Sequence, residues 1–377
     1  MFSLSMRDVK TLEMNAVALS VGRMHPLVVD ENRIVYYRHG KICSRNLETG
    51  KTSRICTLDL PAYKKACSYV RIVERTLRLE PRCAARVEDE GFVFSYSGAI
   101  YHVNEALREC RVEHRYREGM SNVLRFALIR GVRGFDDAVA YGEYWQNPER
   151  EPVRVFTRKD GVWSPVYTFS GKTVKHIHGL IPDPVRGCVY IVTGDEDSES
   201  GIWVARDNFR EVAPLLTGKK EYRACVGIAD ENGLLYATDN PYETNYIRFV
   251  GLSGNGSVTG VRDVMEINGP CIYGTEWNGK LVLSTSVEQD YTIKRNRLFS
   301  ILNRKLGGGT KSAHAVVYVG NLRTGFSELV RYRKDIWPMG LCALGTVQFP
   351  LETNRKLLCF YPVSVKQYDG CTMIVKG

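Results

Sequence analysis

Between Lys175 and Asp239 two short apolar runs begin and end in side chains able to do chemistry. The first starts at His176-Ile177-His178 and ends at Thr193-Gly194-Asp195-Glu196-Asp197; the second starts at Glu221-Tyr222-Arg223 and ends at Thr238-Asp239. Residues two apart in a strand share a face, so the imidazoles of His176 and His178 point together. Such a pair suits metal ligation, anion binding or acid–base work near neutral pH. A metal would need further ligands, which Asp195, Asp197 or Asp239 could supply. Asp195 directly follows its run and is the acid of the Asp195–Glu199 loop best placed to point into a site. The loop lacks the glycine and closing glutamate of an EF-hand. The Arg223 guanidinium either clamps a substrate carboxylate or phosphate, with Asn245 nearby, or is neutralised by Asp239.

Three further groups extend the set. Tyr141-Gly142-Glu143-Tyr144-Trp145, followed by Arg154, offers a carboxylate beside flat apolar faces, which suits a sugar ring; the alternative is aromatic packing. Glu288 closes an apolar run at Thr285-Ser286-Val287, and Lys334-Asp335 precedes Trp337. Glycoside cleavage uses two carboxylates whose separation decides the stereochemistry. The candidate catalytic residues are therefore Asp195, Glu143 and Glu288, assisted by His176 and His178. Tyr144, Arg154, Arg223, Asp239 and Asn245 are candidates for binding substrate. No cofactor and no full set of metal ligands is assigned, and a divalent ion at the histidine pair is the alternative.

These residues must be positioned by strands. Apolar alternation broken by turn residues every eight to ten positions is a meander pattern. Hairpins are expected around Arg38-His39-Gly40, Ser97-Gly98 and Asp160-Gly161, with later pairs 189–192 with 201–204, 234–237 with 246–250, 280–284 with 315–319, and 356–361 with 372–375. Their centres recur at roughly 40 to 60 residues, the scale of propeller blades. The expectation is one all-β domain over 1–377, a β-propeller of seven blades (six as the alternative), closed by pairing the two ends of the chain. Only 290–311 has helical periodicity, with Leu298, Phe299, Ile301 and Leu302 on one side and Gly307-Gly308-Gly309 as the stop. Lys294, Arg295, Arg297, Arg304, Lys305 and Lys311 make this inserted segment, about 290–312, a basic lid without acidic neighbours in sequence, suited to an anionic substrate or a membrane surface.

Composition narrows the classes. With 44% hydrophobic and 25% charged residues the chain is an ordinary globular sequence. Its beginning lacks the apolar run of a secretory signal, and no stretch has membrane-spanning length, so a cytoplasmic location is expected. Eleven cysteines, odd in number and without a CxxC pair, read as reduced and mostly buried. A net charge of +10 favours polyanionic partners. The chain has no P-loop, dinucleotide glycine fingerprint, GxSxG elbow or nucleic-acid-binding signature, so its charge is weak support for nucleic acid; a glycan or glycoconjugate carrying an anionic group is among the polyanions it could suit.

Over roughly Ala138 to Phe349 the sequence resembles bacterial sialidase-like (BNR-repeat-like) β-propellers linked to surface-polysaccharide gene clusters. The matching pieces are YGEYWQNPEREPVRVF, KHIHGLIPD, VTGDEDSESGI, EYRACVGI, ATDNPYETNYI, TSVEQD and RKDIWPMGLCALGTVQFP, and DGVWSPVYTF is similar to a degenerate Asp-box. The resemblance implies a propeller with a glycan-related role. The sialidase site holds its substrate in a three-arginine clamp beside a Tyr/Glu nucleophile pair and an Asp acid; Arg154 and Arg223 are the arginines assigned to part of that clamp.

Overall fold

The computed structural model describes residues 18–87, 91–293 and 296–376. Seven antiparallel four-stranded sheets form the blades of a β-propeller. In chain order the blades are 25–57, 84–115, 127–169, 176–217, 224–267, 271–333, and a seventh built from 346–376 together with Leu19–Gly22. That last strand pairs antiparallel with Thr372–Lys376, Leu19 opposite Ile374, so the beginning of the described chain supplies the outer strand of the final blade. The expected ring closure is present, with seven blades.

Local sequence explains the hairpins. His39-Gly40, Ser97-Gly98 and Asp160-Gly161 all have positive φ at both positions, the geometry that matches the twist of two-residue hairpins. Within a blade, successive strands meander outward, and the apolar sides of adjacent blades pack face to face. Ile34, Tyr36 and Cys43 of the first blade meet Cys359 and Ile374 of the seventh, completing the ring. Between the third and fourth blades Val153, Val155, Phe169, Ile177, Val189 and Ile191 are all essentially buried. Each such side chain contributes about 1.5–3 kcal/mol.

The lid differs from expectation. Only Arg297–Leu302 of the expected helical stretch 290–311 is helical, and Leu298 and Phe299 are exposed, 64% and 55%. Lys294 and Arg295 lie outside the described residues. Lys305 and Lys311, without acidic neighbours in sequence, find them in space: Lys305 pairs with Asp290 at 3.0 Å and Lys311 with Glu266. Gly307–Gly309 is less a helix stop than a packing strip. A Cβ on Gly309 would lie 2.1 Å from the Asn240 carbonyl oxygen and one on Gly308 2.3 Å from that of Tyr242. Two helices that the sequence reading missed, Ala62–Cys67 and Arg71–Thr76, join the first two blades. Among the described residues no helix is long and apolar enough to cross a membrane. All eleven cysteines are unpaired, and most are buried.

Candidate active site at the channel mouth

The inner strand of a blade starts, and the second strand ends, at the same face of the ring. In the fourth blade His176 opens the inner strand opposite Gly194, and Asp195 follows the second strand. In the fifth blade Arg223 precedes the inner strand Ala224–Asp230 and Asp239 follows Gly233–Thr238. A bulge interrupts the fourth inner strand between Ile177 and Gly179, and the same irregularity recurs between Ala224 and Val226. His178 and Cys225 therefore hold equivalent bulged positions, a device that re-aims a side chain.

The two histidines converge as their spacing predicted. His176 Nε2 lies 3.0 Å from His178 Nε2 and 3.3 Å from Asp195 Oδ1, and His178 Nε2 is also 3.3 Å from that oxygen. Each Nδ1 faces a backbone carbonyl, that of Trp145 at 2.8 Å for His176 and that of Ala224 at 3.1 Å for His178. A carbonyl only accepts, so both Nδ1 atoms carry hydrogen and both Nε2 lone pairs turn toward Asp195. Burial holds the pKa of His178 down to about 4, so near neutral pH its single proton is the one given to Ala224. Burial pushes the Asp195 carboxyl up, but the two imidazoles and the Arg223 guanidinium outweigh it and hold the group well below the usual carboxylate range. With both Nε2 lone pairs turned toward it, neither imidazole has a proton to give Asp195, so that ionisation rests on Arg223 at 3.2 Å and Lys175 at 2.8 Å.

Three acceptor atoms thus face one point. Two nitrogens each about 2.1 Å from an ion and at right angles to each other lie about 3.0 Å apart, so the donor set fits a divalent transition metal. The donated Nδ1 hydrogens are the outer contacts that fix ligating histidines. His176, His178 and Asp195 would hold the ion and leave further coordination positions for water or substrate. Tyr144 packs against His176, ring centroids 4.3 Å apart and planes tilted by 34°.

Behind this trio lies a second acidic layer. Asp239 accepts from Arg223 Nε at 3.2 Å and from the Cys225 thiol at 3.5 Å. Burial raises Asp239 to about 7, against the pull of Arg223 and with the help of Glu288. Glu288, also raised by burial, accepts from Ser286 Oγ at 2.6 Å and from Tyr291. Arg223 bridges the two layers, so both sequence readings of it apply: it is neutralised by Asp239 and it sits at the site. His178, Cys225 and Asp239 form a second group with metal-ligand spacing.

Other candidates go elsewhere. The Glu143 carboxylate turns sideways to the third strand of its blade, taking the Arg154 guanidinium at 2.7 Å and the Arg154 backbone N–H at 2.9 Å. Arg154, with Arg117 and Pro152, lines a separate cavity of about 290 Å3. Glu143 and Arg154 therefore satisfy each other apart from the histidine pair, and Arg154 and Arg223 do not meet in one clamp. The Asn245 amide is committed to its own loop and to the glycine strip, receiving from Thr238 Oγ1 and the Asn240 N–H and donating to the carbonyls of Asn240, Glu243 and Gly309. Sequence reasoning missed Lys175, Cys225 and Tyr291. Lys175 and Tyr291 adjoin singled-out residues, whereas Cys225 looked like one more buried thiol.

No protein-family model matches the chain, and no curated protein matches it by sequence. Its solved structural neighbours define the class as a seven-bladed β-propeller. The CNH domain of AfRom2 aligns with TM-score 0.53 and 7% identity, over 96% of this chain and 99% of that one. An oligogalacturonate lyase in complex with manganese aligns with TM-score 0.57 and 8% identity, over 96% and 93%. A chain of a mitotic checkpoint complex reaches 0.50 and 7%, over 100% and 97%. At such identities the likeness is one of fold. These neighbours are propellers of types other than the sialidases.

Proposed function

We propose that this chain is a metal-dependent enzyme cleaving an anionic carbohydrate, a lyase or hydrolase working at the mouth of the propeller channel. One observation carries the reading: His176, His178 and Asp195 aim three acceptor atoms at one point, with the Nδ1 hydrogens of both imidazoles already spent on carbonyls. A divalent ion held there supplies Lewis-acid polarisation of a substrate oxygen. The chain does the rest. Tyr144 and the two carbonyls fix the imidazoles, while Lys175 and Arg223 hold Asp195 in place and ionised. The Asp239–Glu288 pair keeps a proton near neutral pH behind Arg223, where it can balance charge arriving at the mouth.

The test is metal content and turnover together. The purified protein is analysed for bound metal, stripped with a chelator, and assayed on uronate-containing and phosphorylated oligosaccharides before and after manganese, zinc or calcium is restored. Stripping is expected to abolish cleavage, and His176→Ala and His178→Ala to lose both metal and turnover. Full activity in stripped, metal-free protein sinks the proposal. It would favour a second reading, glycosidase-like acid–base chemistry, which has its own support: Asp195 is pushed down and Asp239 up to about 7 on either side of one guanidinium. Glycan binding without any product would mark a non-catalytic scaffold.

A further inference from the structure

Two arginines reach the channel axis without meeting a carboxylate. Arg125 precedes the inner strand of the third blade, yet its NH1 donates to the Cys225 carbonyl of the fifth at 3.2 Å. Its Cδ also lies 3.3 Å from where a Cβ on Gly179 of the fourth blade would be. Arg82 precedes the inner strand of the second blade, and its guanidinium sits over the Tyr273 ring of the sixth, 5.1 Å from the centroid. Contacts between blades that are not neighbours are made only across the axis, so both guanidiniums stand in the channel. Gln348 of the seventh blade reaches the same place, donating to the Tyr273 hydroxyl at 3.4 Å.

Neither arginine has an acidic partner among the described residues. Arg71, Arg154, Arg186 and Arg223 each do. The titratable groups facing the two channel arginines are thiols and phenols that burial keeps protonated: Cys83 beside both, Cys225 and Cys271 beside Arg125, and Tyr144 and Tyr273 beside Arg82. A partly buried guanidinium without a counter-charge is destabilising. Two of them in one channel, on a floor of tyrosine and glutamine, are a poor way to build a propeller and a good way to receive an anion: the forked donors match carboxylate and phosphate oxygens. The position also fits the trio. Arg125 packs on Gly179, the residue after His178, and bonds the carbonyl of Cys225, whose thiol contacts Asp239.

We propose that Arg82 and Arg125 form an anion-binding site in the channel that takes the carboxylate or phosphate group of the substrate, placing the adjoining bond against His176, His178 and Asp195. The anion site stands on its own geometry, and its place in catalysis rests on the metal-dependent reading above.

The test uses the full chain and two probes, free glucuronate and inorganic phosphate, titrated by calorimetry without added metal. Saturable binding of at least one probe is expected: glucuronate alone indicates a uronic substrate, phosphate alone a phosphorylated one. Arg82→Gln and Arg125→Met should each weaken binding by about tenfold or more. Arg125→Met should leave Tm unchanged or raise it, because it removes a half-buried charge that has no acidic partner among the described residues. His176→Ala should keep probe affinity within about twofold, so that failure of the metal reading leaves this one standing. Absence of saturable binding to wild-type protein overturns the proposal, as does wild-type affinity in the Arg82→Gln/Arg125→Met double variant. Should Arg125→Met fail to fold, Arg82→Gln decides alone, and wild-type affinity in it overturns the proposal.

Discussion

At the scale of single residues, the trio depends on how closely two side chains can pass one backbone position. Gly194 lies opposite His176, and a Cβ there would stand 2.7 Å from His178 Cε1 and 3.1 Å from Arg223 Cγ. Neither neighbour has room to retreat: His178 is tied to the Ala224 carbonyl and Arg223 to Asp239. Gly194→Ala is therefore expected to turn the His178 ring off the shared point, weakening metal binding at least tenfold and costing about 1–3 kcal/mol of stability. Metal titration and urea unfolding read the two effects separately, and unchanged metal affinity would contradict the close-approach argument. The residues around this glycine show what a sequence discloses. His176-x-His178 was legible because period two is a property of any strand. The mutual capture of Glu143 and Arg154 was not, because eleven positions of separation do not say whether a side chain turns into the channel or along the blade. Arg82 and Arg125 were invisible for a related reason. What distinguishes them is the missing acid, and an absence in space leaves no trace in a list of neighbours along the chain.

At the scale of elements, the helices Ala62–Cys67 and Arg71–Thr76 escaped the sequence reading because six residues each is too short for a 3.6-residue period to show. Ion pairs hold the second of them in place. Arg71 meets Glu80 at 2.7 Å, Glu74 at 3.0 Å and Asp369 at 3.1 Å, while Arg75 meets Asp335 at 2.7 Å and Asp369 at 2.9 Å. The insertion between the first two blades is thus clamped to loops of the sixth and seventh. Glu74 and Glu80 share Arg71, and the pair does not ionise evenly. Burial, with Glu80 beside it, lifts Glu74 to about 7; Glu80 is pushed up by burial too, but Arg71 and His25 bring it well below the ordinary range. The signs follow. A carboxyl raised on folding stabilises at low pH, and that contribution disappears as pH climbs from about 4.5 to about 7. Depressed Glu80 acts oppositely, and its contribution is lost below about 4.5. Stability is therefore expected to fall by on the order of 1–3 kcal/mol between those two pH values, and Glu74→Gln to flatten that slope. Urea midpoints at pH 5 and 7 in both proteins check it, and an equal slope in the variant would remove Glu74 as the cause.

At the scale of the whole molecule, the architecture was the most legible feature. A hairpin every 40 to 60 residues, the first three turning through residues of positive φ, admits few all-β arrangements other than a ring of blades. Such a pattern is carried by local residues, so it survives in sequence where the site does not. The site is assembled from residues that four or more blades bring to one mouth, and its geometry exists only once the ring has closed. Closure is therefore the step on which the proposed chemistry depends. It is made by a short seam: Leu19–Gly22 pairs with Thr372–Lys376 through three residue pairs and is itself largely exposed. The apolar contact of the first blade with the seventh, through Ile34, Tyr36 and Cys359, remains when that strand is removed. Deleting residues 1–22 should consequently cost only about 1–3 kcal/mol, seen as a Tm lower by a few degrees, while the unfolding transition stays single. The His176–His178–Asp195 group lies three blades away from the seam, so metal affinity measured on the folded truncated protein should match that of the full chain. A loss of metal binding with the fold retained would show instead that the end strand holds the mouth of the channel in register from a distance.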